Sequence, residues 1–140
     1  MMASALTDEM RRFLEEPRFA VLATLNPDGS PQQTVMWFRL DGDELVMNTK
    51  RGRRKDRNLV RDPRISVCVE EGYRYLTLTG TLTIDEDPGR GQDGIRRLAE
   101  RYVGPEQAAE QVATQYAQQE RVTLRLRIEA VDAHGFGGEG

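Results

Sequence analysis

Six cations fall within eight residues of this chain: Lys50, Arg51, Arg53, Arg54, Lys55 and Arg57, opposed only by Asp56. Arginine offers a planar bidentate fork, lysine a compact charge, and the first turn of a helix has free backbone N–H groups. A threonine hydroxyl, Thr49, precedes the run, and Asn58 follows it. Donors of these types at this spacing suit an anionic head group such as a phosphate. The residues alone allow a second reading, in which the same charges solvate a loop and a helix face.

Other chemistries find little support. The chain has one cysteine, Cys68, and one histidine, His134. A nucleophile–histidine–carboxylate group cannot be argued from spacing, and a zinc site would lack its usual ligands. Cys68 lies between Val67 and Val69 and reads as an inert structural thiol, and His134 reads as a surface or tail residue. A net charge of −3 disfavours a surface devoted to nucleic acid. No apolar run approaches the ~20 residues of a membrane helix. Residues 1–13 lack the apolar core of a signal peptide, so a cytoplasmic location is expected.

The elements that must position the basic run are legible from periodicity. A length of 140 residues with 38% hydrophobic content fits one domain. Leu6, Met10, Phe13 and Leu14 have helical spacing, with Thr7 as cap, which predicts a helix within residues 1–16. A strand over 19–25 turns at Asn26-Pro27-Asp28-Gly29-Ser30 into a second strand over 32–40. A third covers 45–49, and the three read as an antiparallel meander. A short helix over 54–61 must stop before Pro63. Strands resume at Ile65, and 75–84 alternates leucines with threonines until Gly80 interrupts it, which predicts a bulge or a close backbone approach. Two helices follow, around Ile95–Val103 and Ala109–Tyr116, before a final strand with Val122, Leu124, Leu126 and Ile128 on one face. Residues 132–140 read as a flexible tail. Six strands with helices at the start and before the last strand predict a mainly β fold, a small antiparallel barrel.

One order of motifs carries a resemblance. It comprises the strand to Leu25, the Pro-Asp-Gly-Ser turn, Val35-Met36-Trp37-Phe38, Asn48-Thr49, Arg53-x-Lys55-x-x-Asn58-Leu59, Asp62-Pro63-Arg64 and the segment Arg74 to Gly80. Together these resemble the pyridoxamine-phosphate-oxidase-like split β-barrels over roughly residues 6–130, and within them the actinobacterial branch that uses coenzyme F420. The resemblance implies a six-stranded split barrel, a homodimer, and hydride transfer from reduced F420 to an unsaturated small-molecule acceptor. FMN is the alternative cofactor, and a non-catalytic flavin, haem or F420 carrier the alternative role. Carried over by position, Arg53, Lys55 and Asn58 hold the cofactor's phosphate region, with Thr49, Lys50 and Arg57 alongside. The ring rests on Thr34, Val35, Met36 and Trp37, and Tyr73, Tyr75 and Leu76 help form the site. Trp37 reads either as a wall for the ring or as an aromatic plug at the dimer interface, and Tyr75 is the candidate proton donor. Two departures argue against the vitamin oxidase itself. The second strand, 32–38, has no cation, and no arginine-bearing segment follows Ile128.

Overall fold

The computed structural model describes residues 4–137. The first helix, α1 (Asp8–Glu15), starts where the sequence predicts: the Thr7 hydroxyl accepts from the Met10 N–H, and Asp8 and Glu9 occupy the positive first turn. Its other end is closed from far away. The Arg101 guanidinium donates to the carbonyls of Leu14, Glu15 and Glu16, which have no partner within the helix. Leu6, Phe13 and Leu14 are buried in the core.

Seven strands follow: β1 (Ala20–Leu25), β2 (Pro31–Met36), β3 (Arg39–Asp41), β4 (Glu44–Lys50), β5 (Ser66–Glu71), β6 (Arg74–Asp85) and β7 (Arg121–His134). They form one sheet in the order β2-β1-β5-β6-β7-β4-β3, antiparallel at every pairing. The edge strands β2 and β3 are consecutive in the chain and separated only by Trp37 and Phe38, so the sheet must roll until its ends meet. This is the expected barrel with two corrections. The meander gives way to non-local pairings, because β5 adds to β1 and β7 inserts between β6 and β4. The predicted second strand is broken, which makes seven strands of six. At the break Phe38 turns fully inward, and its N–H donates to the Tyr102 hydroxyl at 3.1 Å, which replaces a ladder bond. The same hydroxyl donates to the Arg18 carbonyl.

Gly80 behaves as its place in the pattern predicts. The β6–β7 ladder shifts register there, and a Cβ on Gly80 would lie 1.8 Å from the Arg127 carbonyl oxygen. Leu76, Leu78, Leu82, Leu124, Leu126 and Ile128 point into the barrel.

The helix α2 (Arg54–Arg61) follows β4, and α3 (Pro88–Val103) and α4 (Pro105–Thr114) separate β6 from β7. None of the described helices is long and apolar enough to cross a membrane. A Cβ on Gly91 of α3 would lie 2.0 Å from the Arg121 carbonyl oxygen, so only glycine lets this helix lie so close to β7. The expectation of a tail from 132 is corrected: β7 runs through His134, and Phe136 is buried with its ring edge-on to Phe13 at 5.1 Å. Apolar burial of an aromatic holds this segment, which glycine content alone concealed. Residues 138–140 of that expected tail lie outside the described residues. His134 is exposed on β7 and stacks on Tyr75 at 5.3 Å.

Candidate functional site

Between β2 and β4 the described residues form no backbone ladder, and a groove of about 300 Å³ opens at this seam. Strand β2 and the break supply Thr34, Val35, Met36 and Trp37; β4 supplies Asn48 and Thr49; the start of α2 supplies Arg53 and Lys55. Ile95 and Leu98 of α3, Gln115 and Tyr116 beyond α4, and Arg121 at the start of β7 complete it. Local structure explains the placement. Gly52, at φ 92°, turns the chain at the end of β4, and Arg53 is the N-cap of α2 with no side chain closing its first turn. Trp37 lies flat on Tyr102, ring centroids 5.2 Å apart, which fixes one wall.

The lining contains three cations and no carboxylate. Lys55 is 8% exposed, and its ammonium is pushed below the ordinary lysine range by burial first, then by Arg53 and Arg121. Neither Arg53 nor Lys55 has an ion pair among the described residues. Arg121 is likewise buried, and burial followed by Arg53 brings it down to about 10. The Thr49 hydroxyl is buried with no hydrogen-bond partner. An unsatisfied buried hydroxyl beside uncompensated charge is costly in an empty pocket and suits a ligand that brings acceptor oxygens. Arg51 shows the contrast: it is neutralised by Asp56, Glu86 and Glu120.

Of the residues singled out from the sequence, the groove gathers Thr34, Val35, Met36, Trp37, Thr49, Arg53 and Lys55. Six fall elsewhere in the chain. Lys50 is exposed at the end of β4. Arg57 donates to the Gly52 carbonyl and lines a second groove, of about 650 Å³, on the other side of α2 with Asn26, Asp28, Arg54 and Arg61. Asn58 is buried, and its amide nitrogen is spent on Thr24 and Asn26 at 3.1 and 3.2 Å, where it ties α2 to β1. Tyr73 is exposed next to the β5–β6 turn, Tyr75 faces His134, and Leu76 is in the core. Sequence reasoning missed Asn48, Ile95, Leu98, Gln115, Tyr116 and Arg121. Ile95 and Leu98 were visible as an apolar helix face, but nothing local marks Arg121 as different from Arg125 or Arg127.

Comparisons with known proteins agree with this architecture. The family profile described as pyridoxamine 5'-phosphate oxidase matches residues 6–135. The F420H(2)-dependent biliverdin reductase of Mycobacterium tuberculosis (strain CDC 1551 / Oshkosh) is 30% identical over 102 residues, 71% of this chain and 74% of that protein. A solved structure described as an F420 reductase superposes with a TM-score of 0.73 at 30% identity, covering 91% of this chain and 98% of its own. A conserved hypothetical protein of Mycobacterium tuberculosis superposes at 0.77 with 29% identity, over 96% of this chain and 88% of that one.

Proposed function

Because the chain belongs to the pyridoxamine 5'-phosphate oxidase family, we propose that the groove at the β2–β4 seam binds coenzyme F420 and that the protein is an F420-dependent reductase. The observation that carries this reading is the set of buried or partnerless cations facing the unsatisfied Thr49 hydroxyl. The similarity to an F420H(2)-dependent biliverdin reductase supports the choice of cofactor. F420, when bound, supplies a two-electron hydride donor on its deazaflavin ring.

The chain's own residues bind and orient. Arg53 and Lys55 would hold the phosphate, and the Thr49 hydroxyl, which has no partner in the fold, would donate to one of its oxygens. Thr34 to Trp37 offer backbone and a flat wall that would orient a planar ring, and Ile95 and Leu98 would exclude water from it. Tyr75 does not line the groove of its own chain, so solvent is the simpler source of the acceptor's proton. FMN is the competing ligand. F420 adds carboxylates that exposed cations such as Lys50 and Arg54 can meet, each pair worth ~0.2–1 kcal/mol.

The acceptor is an unsaturated small molecule reached through the open side of the groove. Phe19 and Val35 are 58% and 65% exposed beside the Trp37–Tyr102 stack, an apolar patch that a homodimer would cover. Size-exclusion chromatography with light scattering tests that, and a monomer at micromolar concentration would refute it.

The decisive experiment is fluorescence titration of the purified protein with F420 and with FMN, followed by mixing the reduced complex with enones, quinones, nitro compounds and biliverdin-like tetrapyrroles. Binding of neither cofactor below about millimolar would refute the proposal. Binding with acceptor-dependent oxidation supports a reductase, and binding without turnover makes the protein a carrier.

A further inference from the structure

Arg121 lies outside the basic run, and neither the family resemblance nor the comparisons give it a role. The β4–β7 ladder pairs it with Lys50, and Arg121 itself lines the groove. Its guanidinium is held on two sides by neutral amides: Nε donates to Asn48 Oδ1 at 2.9 Å, and Nη1 to Gln119 Oε1 at 2.8 Å. Both amides are themselves fixed. Asn48 Nδ2 donates to the Gly91 carbonyl at 2.9 Å, and the segment carrying Gln119 is anchored by Gln92, whose amide donates to the Tyr116 and Gln119 carbonyls. The Tyr116 ring covers the guanidinium at 5.2 Å. Nη2 has no hydrogen bond among the described residues.

A carboxylate in place of either amide would give the same geometry and a neutral pair. Amides give the geometry and leave the charge. A buried cation positioned but not neutralised is costly to the fold unless an anion completes it. Lys55 and Arg53 are near enough to add to that cost rather than relieve it.

We propose that Arg121 is a third anion-binding residue of the groove, and that Asn48 and Gln119 are positioning residues whose neutrality keeps its charge available to the phosphate of the bound ligand. This rests on the reading of the groove as a cofactor site and assigns it a residue from a strand 73 positions away from Asn48 in sequence. The alternative is structural: Arg121 merely ties the segment after α4 to β4.

The two roles differ in how ligand binding responds to Gln119→Glu. This substitution keeps the shape and sets a carboxylate beside the guanidinium. A tether would tighten, with a higher melting temperature and unchanged ligand binding. A charge reserved for an anion would be consumed. The experiment measures affinity for inorganic pyrophosphate, by thermal shift, and for F420, by fluorescence, in wild type and Gln119→Glu, with Asn48→Asp as a second variant. We expect both affinities to fall at least about tenfold in Gln119→Glu, with no loss of unliganded stability and a shallower dependence of binding on salt. Affinities within about twofold of wild type in Gln119→Glu overturn the assignment. Loss of pyrophosphate binding in the variant, in a wild type that binds pyrophosphate but not F420, upholds the role of Arg121 while refuting the cofactor. A wild type that binds neither refutes both.

Discussion

Two grooves flank α2, and the one with more arginines is the weaker candidate. The outer groove has Arg54, Arg57 and Arg61 and about twice the volume, but its lining includes Asp28, and Arg57 and Arg61 already donate to the Gly52 and Leu25 carbonyls. The seam groove has Arg53, Lys55 and Arg121, of which two are buried and none meets a carboxylate. Positive charge in water is cheap and weakly directing. Positive charge withdrawn from water without a counter-ion is a standing cost that a bound anion relieves. The difference marks a binding site by what the protein leaves unsatisfied, not by how many cations a stretch of sequence contains.

The contrast can be tested in order of expected effect. Leu124→Ala should lower stability without changing the contrast between the grooves: the side chain, on β7 opposite Met47 of β4, is fully buried in the barrel, so stability falls by about 2–5 kcal/mol in urea denaturation. Gly91→Ala should damage the seam groove selectively. Its Cβ would collide with the Arg121 carbonyl, so α3 moves off β7 and loses about 1–3 kcal/mol, and cofactor affinity falls with the loss of the Asn48–Gly91 bond. Lys55→Ala or Arg53→Ala should weaken F420 binding by about tenfold or more, a charge-assisted hydrogen bond apiece, without destabilising the unliganded fold. The pH dependence is smaller and has a defined sign. Arg121 titrates at about 10 in the fold, below its ordinary range, so the unfolded chain holds that proton more tightly. The contribution of Arg121 to the stability of the unliganded protein, taken as the difference between wild type and Arg121→Gln, therefore rises as pH passes upward through about 10, while anion affinity, measured by titration, falls over the same interval. The smallest effect belongs to Arg57→Ala, which should change F420 affinity less than about twofold. A larger loss there than at Lys55 would move the site to the outer groove.

Much of this is legible in the amino-acid sequence. The helix over 54–61 coincides with α2, Thr7 caps α1, and Gly80 sits at the bulge, because capping, proline exclusion and strand alternation act over a few residues. Arg53 and Lys55, which line the seam groove, were singled out the same way, as a charge run at a helix start. Asn58 lies outside the seam groove, and its motif position says nothing of Thr24 and Asn26, the partners that occupy its amide across the β1–α2 contact. Phe136 was hidden among glycines, since the partners that bury it include Phe13, from the first helix, and Arg74, from the middle of the chain.

The amino-acid order by itself determined the helices, most of the strands and where positive charge is dense, since those properties arise from neighbours along the chain; the break between β2 and β3 and the extension of β7 to His134 do not. Only the tertiary structure decided which cations lose their water, by setting β7 beside β4 and letting α3 close over both at Gly91. Desolvation depends on everything within a few ångströms in space. In a barrel whose strand order departs this far from sequence order, those neighbours come from distant parts of the chain.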